Sequence, residues 1–261
     1  MRVSGACLRL AGVLFAYWKS ILYTTISSNL PMPGFAAFVW DFDGVIALTP
    51  HEDAWRIACE HWGIRGFSSR FYSRYVSGRP RLEGARNILE MLSPDLLSER
   101  GEGVVEEFAE YKTRIYRRLV EEGKYHVNWS VIGFILEARA GGIMQVLASA
   151  SRNVLVLAER VRVGRLRLEE LFDADVSGKG SSKLEVFRRA VEEVRSRTGA
   201  DTGCIVFFDD AEAGVRAAKE VGGKAVGCFD EELTSFGADL VVKDFSQWSP
   251  GELLEALGCG R

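Results

Sequence analysis

Two carboxylates separated by one residue, Asp41 and Asp43, follow the apolar run Phe35–Trp40 and precede Gly44. A run of that length and apolarity predicts a short buried strand. Acids at the end of a buried strand are costly unless they are paired, hydrogen-bonded or bound to a metal. The carboxyl end of a strand is also where open α/β sheets bind ligands. The alternative is an acidic turn that simply ends the strand, since Asp and Gly are ordinary turn residues.

Other polar residues fall at similar places. Ser149 follows the apolar segment Ile143–Ala148 and precedes a predicted helix, where backbone N–H groups could hold an anion. As a lone serine it could equally be a helix cap. Asp209 and Asp210 end the run Cys204–Phe208, and two adjacent carboxylates exceed what a cap needs, which suggests a cation. Lys183 opens another predicted helix, against the helix dipole. It could also be a solvated surface lysine. Acid-only oxygen ligands suit Mg²⁺. Serine, a helix N-terminus and lysine suit a phosphate. Together these groups form a coherent phosphoryl-transfer site, with a carboxylate as nucleophile.

The elements that must position these residues alternate. Strands are predicted at Phe35–Trp40, Ile143–Ala148, Ala174–Val176, Cys204–Phe208, Lys224–Cys228 and Asp239–Val242. Helices are predicted between them, at Ile132–Ala140, from Ser151 to Arg160, from Ser182 to Arg197 and up to Glu220. Such alternation implies an α/β fold with a doubly wound parallel sheet. Between the first two strands the rhythm is helical only, with helices expected at Asp53–Trp62, Arg81–Leu92 and Val104–Glu121. This block carries no convincing strand. It reads as a helical domain over 51–130, inserted into a core made of 35–50 and 131–261.

Residues 1–34 fit neither part. Apolar pieces at Leu10–Trp18 and Ile21–Tyr23 follow Arg2 and Arg9, yet Lys19 interrupts them and no signal-cleavage pattern follows. Each piece is too short to span a bilayer. The segment is either a genuine extension or upstream sequence before a start at Met32, and a protein beginning at Met32 is expected to fold and act alone.

The 261 residues carry a net charge of −3 and are 47% hydrophobic, so nothing global points to nucleic acid or an anionic membrane as partner. Five cysteines, Cys7, Cys59, Cys204, Cys228 and Cys259, are odd in number and widely spaced. They suggest neither a zinc site nor a disulfide framework, but thiols in a reducing cytoplasm.

With these motifs in order, Asp41-Phe-Asp43-Gly-Val, Ser149-Ala-Ser, Lys183 and Asp209-Asp210, the chain resembles the haloacid dehalogenase superfamily of phosphotransferases, in the subgroup with a helical cap after the first strand. The resemblance covers about residues 35–245 and implies roles. Asp41 would attack phosphorus, and Asp43 would act as acid and then base. Asp41, the Asp43 carbonyl and Asp210 would hold Mg²⁺, with Asp209 in support. Ser149, Ala150 and Lys183 would bind the phosphoryl oxygens. To serve as an acid, Asp43 must be protonated near neutral pH, which requires an upward pKa shift. Relatives usually carry Lys-Pro where this chain has Lys179-Gly-Ser-Ser-Lys183-Leu, so Lys179 rivals Lys183. Asp43 argues against a dehalogenase, a branch that lacks the second acid.

Within that superfamily the chain is most similar to β-phosphoglucomutases and phosphosugar phosphatases. His51, Arg81 and Lys112 match mutase positions that contact the substrate or Asp43, although the loop after Asp43 is shorter than in typical mutases. The resemblance thus implies a Mg²⁺-dependent phosphatase acting on a small phosphorylated metabolite, with a sugar phosphate expected. The alternatives are a phosphomutase, or a non-catalytic binding protein on the same fold.

Overall fold

Strand β1 (Ala36–Trp40) is an interior strand of the main sheet, with neighbours on both sides and none of its last four residues reaching solvent. The structure is a computed structural model that describes residues 36–198 and 204–259. The expectations for residues 1–34, including a start at Met32, therefore lie outside the described residues.

Six strands form one parallel sheet in the order β10-β9-β8-β1-β4-β7. The flanking strands are β4 (Met144–Leu147), β7 (Ala174–Asp175), β8 (Cys204–Asp209), β9 (Lys224–Cys228) and β10 (Leu240–Val242). This is the doubly wound α/β architecture expected from the alternating pattern, with β1 at the point where the strand order reverses.

Alternation along β1 divides the core. Phe38 and Trp40 face one layer, where they meet Phe134, Phe208 and Phe245. Ala37 and Val39 face the other layer, against Phe187, Ala190 and Phe207. A strand covered on both faces has no polar side, which explains the unbroken apolar run. Trp40 stacks on Phe208 with ring centroids 3.8 Å apart, and its indole N–H donates to Gln145 Oε1 at 2.8 Å. The buried indole and the buried amide thus satisfy one another.

After β1, the two-residue strand β2 (Ala47–Leu48) leads into five helices: α1 (His51–His61), α2 (Ser69–Tyr75), α3 (Arg81–Leu92), α4 (Pro94–Arg100) and α5 (Gly103–Glu121). Helices α1 and α3 both pack on α5, whose apolar stripe includes Phe108, Ile115 and Leu119. The chain returns through β3 (His126–Val127), which pairs antiparallel with β2. The block read as strandless thus contains one short strand, and that strand ties its exit to its entrance. Helices α2 and α4, of seven residues each, were not expected.

Helix α6 (Trp129–Ala140) returns the chain to the sheet. The helix expected from Ser151 to Arg160 is only α7 (Val154–Ala158), followed by the hairpin β5 (Arg162–Val163) and β6 (Leu166–Arg167). Helices α8 (Lys183–Thr198), α9 (Glu212–Glu220) and α10 (Pro250–Ala256) complete the fold. Among the described residues no helix is long and apolar enough to cross a membrane.

The cysteines depart from expectation. Cys204, opening β8, forms a disulfide with Cys259, just beyond α10, with Cα atoms 5.8 Å apart. Cys59 and Cys228 are buried free thiols, as expected. No motif spacing announces the bridge, because 55 residues separate its ends and only the return of α10 to the sheet brings them together.

Candidate active site

Strand register decides which side chains meet. Trp40 is level with Leu147 on β4 and with Phe208 on β8. The residues that follow, Asp41, Ala148-Ser149 and Asp209-Asp210, therefore emerge together at the carboxyl edge of the sheet. Backbone bonds from Asp41 N–H to the Phe208 carbonyl (2.9 Å) and from Ala148 N–H to the Trp40 carbonyl (2.8 Å) hold that edge. Two glycines make room for the acids. A Cβ on Gly44, whose φ is +93°, would collide with the Asp210 carboxylate, and one on Gly214 would collide with that of Asp209.

Asp41, Asp209 and Asp210 form a cluster whose ligand oxygens lie within 4.8 Å of one another. Lys183, 6% exposed at the start of α8, reaches into it, with Nζ 2.6 Å from Asp41 Oδ1 and 2.7 Å from Asp209 Oδ2. Lys179 instead lies on an exposed turn and donates to the Asp175 carbonyl at 2.6 Å. Burial opposes the Lys183 charge, but Asp209 and Asp41 outweigh it and hold its pKa above the ordinary value. One ammonium does not balance three acids. Burial first, then Asp209 and Asp43, push the Asp41 carboxyl up to about 7 despite Lys183. Burial, with Asp209 and Asp41, also raises Asp210 well above the usual carboxylate range. A hard divalent cation fits this donor set, because it adds the missing positive charge and accepts carboxylate oxygens.

Asp43 behaves in the opposite way from expectation. Burial pushes its carboxyl up, but His51, a hydrogen bond from Thr49 and the Lys112 charge pull it down to about 2. Thr49 Oγ1 donates to Asp43 Oδ1 at 2.7 Å, and His51 Nε2 stands 3.3 Å from the same oxygen. Asp43 is thus ionised at rest rather than protonated at neutral pH. His51 opens α1 and stacks on Tyr116, with centroids 4.2 Å apart. Its Nδ1 lies against Lys112 Nζ, and the ring nitrogen on the other side faces Asp43. Burial and the Lys112 charge lower the His51 pKa, so the ring is neutral, with its proton on Nε2 toward Asp43 and Nδ1 accepting from Lys112. Lys112 is itself 3% exposed, lies over the rings of Trp55 and Tyr116, and is pulled down to about 7 by burial against the counter-pull of Asp43.

Ser149 is not at a helix start. Its Oγ donates to Asp43 Oδ2 (3.2 Å) and accepts from Ser151 N–H (3.1 Å), and Ser151 Oγ in turn accepts from Asn153 N–H (3.2 Å). Successive side-chain turns of this kind compete with helix formation and delay α7 to Val154. The anion-binding groups expected from a helix end therefore come from a polar turn, 149–153, in which Ala150 borders the cleft.

The cleft has a volume of about 450 Å³. Asp41, Asp43, His51, Arg81, Lys112, Ser149, Ala150, Lys183 and Asp210 all line it, while Asp209 lies behind, buried against Lys183. Arg81, at the start of α3, donates through Nη1 to Glu110 Oε2 at 2.6 Å and to Thr113 Oγ1 at 3.2 Å. Thr49, Glu110, Arg117 and Arg152 also line the cleft and were not singled out from the sequence. Only Arg152, in the turn after Ser149-Ala-Ser, had a nearby motif that could have revealed it.

The model of the haloacid dehalogenase-like hydrolase family matches residues 35–222. The chain is 26% identical over 227 residues to a phosphorylated carbohydrates phosphatase of Thermotoga maritima, covering 85% of this chain and 97% of that protein. It is 39% identical to a crystal structure of an archaeal β-phosphoglucomutase from Pyrococcus sp. strain ST04, with a TM-score of 0.71 over 86% of this chain and 99% of that one. A β-phosphoglucomutase from Clostridium difficile shares the fold at 22% identity, with a TM-score of 0.71 over 86% of this chain and 97% of that one. A pair of carboxylates at the end of the central strand, a buried lysine against the first of them, and a family match across most of the described residues lead to one conclusion: this chain is an enzyme belonging to the haloacid dehalogenase-like hydrolases.

Proposed function

We propose that the protein is a Mg²⁺-dependent phosphatase that hydrolyses a small sugar phosphate through an aspartyl-phosphate on Asp41. Residues 51–130 act as a cap over the core formed by 35–50 and 131–261. The observation that carries this reading is the buried contact of Lys183 with both Asp41 and Asp209 at the strand edge. Asp41, the Asp43 carbonyl and Asp210, supported by Asp209, would hold Mg²⁺. Bound there, the ion offsets the repulsion between a carboxylate nucleophile and a phosphate dianion.

The residues then divide the work. Lys183, the Ser149 hydroxyl and the Ala150 backbone take the phosphoryl oxygens. Asp41 Oδ attacks phosphorus, and the sugar oxygen departs and needs a proton. Asp43, ionised at rest, obtains it along the contact Lys112–His51–Asp43: Lys112 Nζ–H to His51 Nδ1, His51 Nε2–H to Asp43, Asp43 to the leaving oxygen. In the second half Asp43 takes a proton from water as the water attacks the phospho-aspartate, which releases phosphate and restores Asp41, and that proton returns through His51 to Lys112, leaving Asp43 ionised again.

A phosphomutase is the second reading, and His51 favours it. The shortened loop after Asp43 nevertheless brings His51 to Asp43, and the Pyrococcus relative is named a mutase. A mutase must grip the phosphate that is not being transferred, and in this chain Arg81, the guanidinium suited to that task, already holds Glu110. The Thermotoga relative is named a phosphatase. Incubating the protein with Mg²⁺, β-glucose 1-phosphate and a glucose bisphosphate primer separates the two. A phosphatase releases mainly free phosphate. Glucose 6-phosphate with negligible phosphate release overturns our reading in favour of the mutase.

A further inference from the structure

Glu52 and Glu110 both line the cleft, and they are held differently. Glu52 Oε1 accepts from the Ser69 hydroxyl. Glu110 Oε2 accepts from Arg81 Nη1 at 2.6 Å, so its charge lies on a cleft guanidinium. Thr113, one turn further along α5, shares the same nitrogen at 3.2 Å. Arginine grips a phosphate through two parallel N–H groups, and here one of those prongs already has two acceptors. A second anion reaching Arg81 would also meet the Glu110 carboxylate at hydrogen-bond range, where like charges repel. Glu110 is 47% exposed while Arg81 is 25% exposed, so the carboxylate is the partner free to swing away.

We propose that Glu110 is a specificity-determining residue: it competes with a substrate's second phosphate for Arg81, and so turns the cleft toward sugars carrying one phosphate. This inference rests on the sugar-phosphate reading above. A sugar whose far end carries only hydroxyls can lie beside the Arg81–Glu110 pair without breaking it, because hydroxyls both donate to a carboxylate and accept from a guanidinium. A bisphosphate must first displace Glu110. The bias is thus built by an opposing charge rather than by the loss of an attractive one.

The test is a binding measurement that does not depend on turnover. Full-length protein carrying Asp41→Asn is titrated calorimetrically, in Mg²⁺, with glucose 6-phosphate and with glucose 1,6-bisphosphate. Adding Glu110→Gln should raise the affinity for the bisphosphate relative to the monophosphate by about tenfold, the scale of one removed charge contact. Glu110→Ala should do the same, which guards against an effect peculiar to glutamine. In an Arg81→Ala background either substitution should change the ratio by less than twofold. A ratio that stays fixed when Glu110 is changed, with both sugars still binding, overturns the role of Glu110 alone. Absence of binding by either sugar in every variant overturns the sugar-phosphate reading, and this inference with it.

Discussion

Lys183 Nζ lies 2.6 Å from Asp41 Oδ1, with both side chains almost wholly shielded from solvent. The pair is an ammonium and a carboxylate inside a cluster that holds two further acids, Asp209 and Asp210. Its charge balance is negative, and that imbalance sets the first prediction. With no metal bound, the Asp41 carboxyl keeps its proton to about pH 7, whereas an unfolded chain releases it near 3.8. Between those values the native state holds the extra proton, so this group's contribution to stability falls as pH rises from about 4 through 7. A metal that needs the carboxylate must displace that proton, and its apparent affinity should rise with pH up to about 7 and level off above it. Mg²⁺ titrations followed by thermal shift at several pH values check this. Asp210→Asn should shift the titration to higher Mg²⁺, and an identical curve would remove Asp210 from the ligand set. Asp41→Asn should keep the fold and lose at least about a thousandfold in turnover, as expected for a covalent nucleophile.

The second prediction concerns Lys112. Its pKa is drawn down to about 7, first by burial and with help from Arg81, although Asp43 resists. Above that pH the ammonium is lost, and with it the proton that the His51–Asp43 contact would carry. In saturating Mg²⁺, turnover should fall as pH rises through about 7 to 8, and Lys112→Met should lack that limb and run about tenfold to a hundredfold slower. Stability should move the other way. The unfolded chain keeps the lysine proton to about 10.5, so between 7 and 10.5 it binds more protons than the native state, and this group's penalty on folding is relieved as pH rises. Melting curves across that range should be flatter for Lys112→Met than for the parent. A rate profile unchanged by the substitution would remove Lys112 from the proton path.

Much of the site was legible because it lies in short contiguous motifs at strand ends. An apolar run followed by Asp-x-Asp-Gly specifies both the strand and the turn, and a parallel sheet brings such ends to one edge. Asp41, Asp43, Ser149 and Asp210 stand out in the sequence in this way, Lys183 stands out as a cation opening a helix, and the structure brings all of them around one cleft. What escaped it depends on pairs distant in sequence. The ionised state of Asp43 draws on Lys112, which meets His51 from 61 positions away only where α1 and α5 pack together. The Arg81–Glu110 pair joins residues on two helices, 29 positions apart. Strands β2 and β3 are two residues each, too short for any alternation to register. Helix α4 did carry a signal, Pro94 at its first position, which the surrounding pattern of longer helices obscured.

The disulfide supplies the last prediction. Cys204 begins β8, whose opposite end carries Asp209 and leads into Asp210. Cys259 follows α10, whose buried Leu253 and Leu254 seat that helix in the core beside the sheet. The bridge therefore ties the C-terminal helix to the strand that supplies two of the acids, but at the end remote from them. Closing a loop of 55 residues removes unfolded-state entropy worth about 4 kcal/mol in the chain-entropy treatment. For a domain of this size that corresponds to roughly 10 °C in melting temperature. Reduction, or Cys259→Ser, should lower the melting temperature by that order. Turnover at 25 °C should change little, because the register of β8 against β1 is held by its own backbone pairing. Scanning calorimetry of the Cys259→Ser protein, with thiol alkylation of the parent to count Cys204 and Cys259 as unreactive until reduced, checks both halves. A melting temperature equal to the parent's would show that α10 is held by its apolar contacts alone.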